Sequence, residues 1–423
     1  MSFPIYRWLK ITLLNLLIVA TIGVVLRYKI LYPLPFIDQK HLLHGHSHFA
    51  FSGWITQAIM TLMVVYLANS KGETIYKRYR WLLYANLFTA YGMLVAFPIE
   101  GYGLYSIIFS SASVLVSYAF AVYYWKDLNK QAFKQTTHLW FKAAVFFNAF
   151  SSLGVFALTM MMVSNVIHST WYLSAEYFYL HFQYNGWFFF ACMGLFTAYI
   201  SRFVKAADTF KKIFKLFAFA AVPAYFLSTL WMPLPVWVYI LVIIAAVAQL
   251  AGWIWLVNLL KINWQPVKNN FSVIAKYILA FAGIALTVKL LLQLGSTFPG
   301  LSDLAFGFRP IVIGYLHLVL LGVITLFLLG YMFAEKYFIG NKTAMAGAFV
   351  FSGAVIFNEM LLMIQGVAAI TYTAIPFINE LLLGAAILLF AGALLMAFAK
   401  GNMVKDQMPF PAGKNIPNNN KPD

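Results

Sequence analysis

Apolar runs of about 20 residues, long enough to cross a bilayer as helices, recur from end to end of the chain with short polar gaps between them. Their periodicity predicts an all-α polytopic membrane bundle of twelve transmembrane helices. The spans fall at approximately 8–27, 44–68, 81–98, 103–125, 138–163, 177–200, 214–231, 236–260, 273–294, 309–331, 344–370 and 377–399. Residues 1–399 thus read as a single transmembrane domain. The remainder, 400–423, is polar and rich in proline and asparagine, with too little apolar surface to bury, and is expected to be a disordered tail.

The basic residues divide the gaps into two kinds. Lys and Arg crowd those after the second, fourth, sixth, eighth and tenth spans, for example Arg78, Lys130, Arg202, Lys261 and Lys336, and are nearly absent from the others. By the positive-inside rule both termini are cytoplasmic. The first outer gap dissents, with Arg27, Lys29 and Lys40.

A chain that is 63% apolar and 10% charged is excluded from the water-soluble globules, whose charged fraction is nearer a quarter. The net charge of +17 then reflects orientation in the lipid bilayer, and no nucleic-acid partner is implied. The lone Cys192 excludes an intrachain disulfide, a thiolate cluster and a Cys-x-x-Cys-His haem attachment. A basic flank and an apolar stretch of spanning length open the chain, without a clear cleavage site, so the first span is read as retained. The expected location is a bacterial inner membrane.

Candidate chemistry is concentrated in histidine. Four of the eight histidines, His41, His44, His46 and His48, fall within eight residues at the mouth of the second span. The spacing His-x4-Gly occurs there as His48 and Gly53, and again as His181 with Gly186 and His317 with Gly322. The histidine separations are 133 and 136 residues, which predicts three pseudo-equivalent four-helix repeats at approximately 1–134, 135–268 and 269–399. With a rise of 1.5 Å per residue, His46, His48 and His181 lie roughly 3–8 Å from their helix starts and His317 about 12 Å, in one outer layer. Neutral imidazole is a ligand for haem iron and copper, so His46, His48, His181 and His317 are the metal-ligand candidates. His44 shares a helical face with His48 and joins them as a cofactor-binding candidate, although an interfacial, solvated place suits it equally. The alternative for His181 and His317 is a hydrogen-bonded interior residue. The glycines admit either a flat macrocycle or a close neighbouring helix.

Ionisable groups inside a span are functional candidates by default. Lys289, Glu359 and Glu380 are expected in the same outer half, as an ion pair or as proton carriers. Arg309, at the start of the tenth span, can hold a haem propionate or snorkel to lipid phosphate.

These features together resemble subunit I of the haem-copper oxidase superfamily, including its nitric oxide reductase branch, and also the NnrS group of haem- and copper-containing membrane proteins. The segment His46-Ser47-His48-Phe49-Ala50-Phe51-Ser52-Gly53-Trp54 is similar to the His-x-His-x4-Gly-Trp stretch of C-type oxidases. The resemblance implies twelve helices in three arcs and a low-spin haem b held by His46 or His48 together with His317. It also implies a second metal or haem near His181, and an electron donor or respiratory subunits as partners. The sequence departs from that family in carrying its His-x-His on the second span, one histidine on the tenth and none on the seventh. Copper is therefore a weaker candidate than haem, and the expected function is a redox or gas-sensing membrane protein, an oxidoreductase only if catalytic. The alternatives are a proton-coupled secondary transporter and an accessory subunit of a respiratory complex.

Overall fold

The computed structural model describes residues 4–71, 74–131, 135–164, 166, 168–301, 308–338 and 341–399, and among these no strand occurs. The tail from Lys400 lies outside the described residues. Among the described residues, ten helices are long and apolar enough to cross a membrane.

The order is α1 (Ile5–Leu31), then a long rod made of α2 (Gln39–Phe49), a π-helical stretch (Ala50–Thr56) and α3 (Gln57–Lys71). There follow α4 (Thr74–Glu100), α5 (Leu104–Asn129) and α6 (Thr136–Val163). A second composite rod runs through α7 (Ser169–His181), a π stretch (Phe182–Phe188) and α8 (Phe189–Ile200). After α9 (Ala207–Ala221) and a 3-10 segment (Pro223–Thr229) come α10 (Val236–Ile262), α11 (Trp264–Asn270) and α12 (Val273–Gly295). The third composite rod is α13 (Arg309–His317), a π stretch (Leu318–Thr325) and α14 (Leu326–Ala334), and α15 (Lys342–Ile370) and α16 (Ile378–Ala397) close the order.

Local chemistry sets several of these limits. Tyr32, which precedes Pro33, is extended (φ −128°, ψ 139°) and stops α1, as a residue before proline must avoid the helical region. Asp38 caps α2 by accepting the His41 N–H at 2.8 Å, an interaction that also holds its carboxyl below the usual carboxylate range. Ser272 and Asn341 do the same for α12 and α15, accepting from Ala275 and Ala344.

Two of the expected spans are drawn differently in the structure. The one placed at 177–200 starts at Ser169, so His181 lies twelve residues into its rod, about 18 Å by helical rise. The one placed at 214–231 is broken: α9 ends at Ala221 and the chain tightens into a 3-10 segment from Pro223. Proline has no N–H to continue the ladder and its ring crowds the preceding turn.

The bundle has a definite centre. The first composite rod is 89% buried over its most apolar window, against 11% for α5, so the former is wrapped by other helices and the latter faces outward. The three π stretches begin within two residues of His48, His181 and His317, and their indoles link them. Trp54 donates to the Thr325 hydroxyl at 3.0 Å, and Trp187 donates to Thr56 at 3.2 Å. Asn15 of α1 donates to the Gly53 carbonyl at 2.5 Å and Asn86 of α4 to the Ser52 carbonyl at 3.0 Å. Wide π turns disrupt the regular ladder, and here side-chain amides supply bonds to backbone of the first one.

The first and last helices close the bundle, because α16 packs on both α15 and α1. Its crossing with α15 is held by glycine: a Cβ on Gly392 would stand 2.6 Å from the Phe351 nitrogen, and one on Gly347 would stand 2.9 Å from the Gly392 carbonyl. Gly392→Leu must push the two backbones apart. It is expected to lower stability by about 1–3 kcal/mol, seen as a lower unfolding midpoint of the detergent-purified protein.

Candidate functional site

Register puts His46 and His317 at one level of the bundle. The composite rods carrying them are tied by the bond from Trp54 to Thr325, residues separated by 271 positions, and the same offset separates His46 from His317. His317 and Arg27 both lie within electrostatic reach of His46, and Arg27 within reach of His317. His46 rests on α1, where a Cβ on Gly23 would lie 3.6 Å from its Cε1. Three helices, α1, α2 and α13, therefore each place one ionisable side chain within electrostatic reach of the other two.

The two imidazoles are prepared differently. His317 Nδ1 lies 2.8 Å from the Ile313 carbonyl one turn back. That oxygen can only accept, so Nδ1 carries the proton and Nε2 is left with its lone pair, the tautomer a metal requires. His46 Nδ1 is buried without a hydrogen-bond partner. A buried polar atom left in this way calls for an explanation such as an unplaced ligand or water.

The other histidines of the first cluster face elsewhere. His48 stacks on Phe97 at 4.2 Å with an interplanar angle of 13°, and His44 meets the edge of Tyr102 at 4.7 Å. His44 Nε2 is likewise buried and unpartnered. Residues four apart share a helical face, and two positions on the face has turned by about 200°, which is why His44 and His48 pair off while His46 turns toward α1.

His181 has both ring nitrogens engaged. Nε2 donates to the Ala221 carbonyl at 2.9 Å, and Nδ1 lies 3.1 Å from the Asn185 amide. Ala221 is the last residue of α9, so His181 satisfies a carbonyl left open where that helix breaks.

Gly53, Gly186 and Gly322 all sit against side chains. A Cβ on each would meet the Phe49 ring at 2.5 Å, Phe147 Cβ at 2.6 Å and Ala285 Cβ at 3.1 Å. Close packing thus accounts for all three.

The ionisable candidates share a level without meeting. Gly322 opposite Ala285 and Gly330 opposite Leu279 fix α12 antiparallel to the third composite rod, which puts Lys289 level with Leu318. Gly314 opposite Leu362 and Gly366 opposite Ile311 fix α15 likewise, which puts Glu359 level with His317. Lys289 is buried, its Nζ 5.9 Å from the Phe189 ring centroid, and it forms no ion pair among the described residues. Glu359 accepts from the Asn358 amide at 3.1 Å. Glu380 is exposed in the first turn of α16, where a negative charge complements the helix dipole. Arg309 is exposed as the first residue of α13. Among the described residues no group of three or more His, Cys, Asp or Glu side chains is placed to hold a metal ion.

Two features lay outside the sequence reading. Arg27 was visible only as a misplaced charge in the first outer gap. The pair Arg202 and Glu335 was hidden because its members stand 133 residues apart. Arg202 donates from both guanidinium nitrogens to the Glu335 carboxylate, one bond at 3.0 Å, and the Tyr331 hydroxyl donates to it at 3.0 Å. Tyr199 lies under the guanidinium at 4.7 Å. The spacing of 133 is that of His48 and His181, the one signal that pointed to the pair.

No protein-family model matches this chain, and no curated protein is similar to it.

Proposed function

We propose that the chain is an integral membrane haem protein that passes electrons or senses a diatomic gas, in which His46 and His317 would hold the haem. The supporting observation is their shared level on two different helices within electrostatic reach of one another, one imidazole with an orphaned nitrogen and the other with its Nε2 freed by a backbone bond. Haem, when bound there, supplies a one-electron couple tuned by its axial ligands and surroundings.

The residues of the chain do the rest. Ile313 fixes the His317 tautomer through Nδ1, and Gly23 gives the His46 ring room against α1. Arg27 supplies positive charge at the same cluster, the role of a propionate anchor that a guanidinium fork suits. Three exposed or stacked candidates, Arg309, His44 and His48, are left to the rim. With both nitrogens of His181 in use and no three-ligand group among the described residues, copper is not part of this reading.

The fold is read with it as twelve spans, the ten apolar helices plus the rod Ser169–Ile200 and the broken pair of α9 and the 3-10 segment. Gln183 and Asn185 lower the apolar character of the former, and Pro223 interrupts the latter. Three repeats, each centred on a π stretch after a histidine, cytoplasmic termini and a bacterial inner membrane complete it. Protein purified after haem-supplemented expression is expected to show a Soret band that shifts on dithionite reduction; a colourless preparation overturns the haem reading.

The broken α9 favours one second reading, a secondary transporter, since carriers place discontinuous helices at their binding sites. Proton-driven solute uptake by haem-free proteoliposomes would select it.

A further inference from the structure

We infer that the cavity at the break of α9 binds a single halide-sized anion, held by Lys289. This site is separate from the His46 and His317 cluster and does not depend on haem. The cavity has a volume of about 10 Å³ and is lined by Lys289, His181, Asn185, Gln249, Phe189 and Ala221 among others. Lys289 is 4% exposed and Gln249 6%. Among the described residues no carboxylate pairs with Lys289, whose Nζ lies 5.9 Å from the Phe189 ring centroid.

A buried lysine without a carboxylate partner either releases its proton or takes up a countercharge, because the effective penalty for a buried unpaired ion is large. The polar groups around it offer donors. Asn185 spends one amide hydrogen on His181 and keeps a second, and Gln249 presents an amide that makes no hydrogen bond among the described residues. His181 donates its Nε2–H to the Ala221 carbonyl and accepts at Nδ1 from Asn185, so the ring is neutral and brings no competing charge. A donor-rich hole beside a lysine, with no acid in it, selects an anion.

Size selects which anion. A space of about 10 Å³ corresponds to about one water-sized sphere, too small for phosphate, nitrate or a carboxylate. Chloride or bromide fits with a displacement of the surrounding side chains by a few tenths of an ångström. The broken helix makes the site: had α9 continued through Val222 and Pro223, the Ala221 carbonyl would be closed in the ladder and His181 would lack its anchor.

The test is thermal unfolding of the detergent-purified full chain in chloride or bromide against gluconate at equal ionic strength. The wild type is expected to unfold roughly 2–4 °C higher at saturating halide, with a saturable dose dependence, and Lys289→Gln to lose that difference. Gln249→Leu, which keeps the charge, is expected to weaken halide affinity several-fold, so the inference stays testable if Lys289→Gln does not fold. A bromide-soaked crystal should show anomalous scattering within hydrogen-bonding distance of Lys289 Nζ. The inference is overturned if the wild type gives no halide-specific shift, if Lys289→Gln or Gln249→Leu retains it undiminished, or if the cavity holds only water in bromide.

Discussion

On the proposed haem reading, replacing His317 by alanine is expected to lower haem content by about tenfold or more, and His46→Ala to do the same, because each removes one of the two histidines that would hold the cofactor. The scale follows from metal sites in which even outer partners of a ligating histidine carry 10–100-fold in affinity. The decisive contrast is His48→Ala. In the sequence, His46 and His48 were equivalent candidates, whereas in the structure the His48 ring lies flat on Phe97 at 4.2 Å. That variant should therefore keep its Soret band and its haem-to-protein ratio near wild type. Added imidazole should restore part of the absorbance in His317→Ala, which a general loss of folding would not allow. Equal haem loss in all three variants, with unchanged unfolding midpoints, would sink the assignment of the pair.

Arg202→Met is expected to cost about 3–5 kcal/mol, the largest stability effect predicted for the chain. The Glu335 side chain is 2% exposed and that of Arg202 29%, so removing the guanidinium leaves a buried carboxylate whose charge has no comparable partner. Tyr331 would remain as a donor to it at 3.0 Å, too little to offset desolvation of the ion. The double variant Arg202→Met with Glu335→Leu removes both charges and should recover most of the loss, since apolar replacement of a whole buried pair is often neutral. Chemical denaturation of the three proteins, compared at one detergent concentration, measures the coupling. Additive losses would mean that the two side chains act independently.

Much of the architecture was legible because the bilayer imposes a single length on apolar runs. Span limits at 8–27, 103–125, 236–260 and 344–370 fall inside the observed helices Ile5–Leu31, Leu104–Asn129, Val236–Ile262 and Lys342–Ile370, with one residue of overhang in the second. The errors have a common origin in polar content. Residues 169–176, with Ser169, Thr170, Ser174 and Glu176, read as loop yet extend the second composite rod, since tertiary packing overrides local polarity. Pro223 was visible, but the Ala221 carbonyl is left open because the Tyr225 N–H turns to Val222 in the 3-10 segment, and that carbonyl's partner, His181, lies 40 residues away. For the site, residue type could nominate histidines but not orient them. Choosing His46 over His48 needs the face presented to α1, and recognising Arg27 needs the level at which α1 meets α13. The π stretches left no trace in periodicity, because a seven- or eight-residue departure from regular winding is too short to alter an apolar pattern that is nearly continuous.

Those wide turns have a mechanical consequence. One residue added to a regular helix turns everything beyond it by about 100°, so each rod behaves as two shafts joined by a coupling that resets their angle. The shaft before the coupling can aim its imidazole at a neighbour while the coupling itself keeps its indole or threonine bonded to the adjoining rod. Aim and anchorage are thereby separated on one continuous length of backbone, and a shift on the ligand side need not unseat the grip below it.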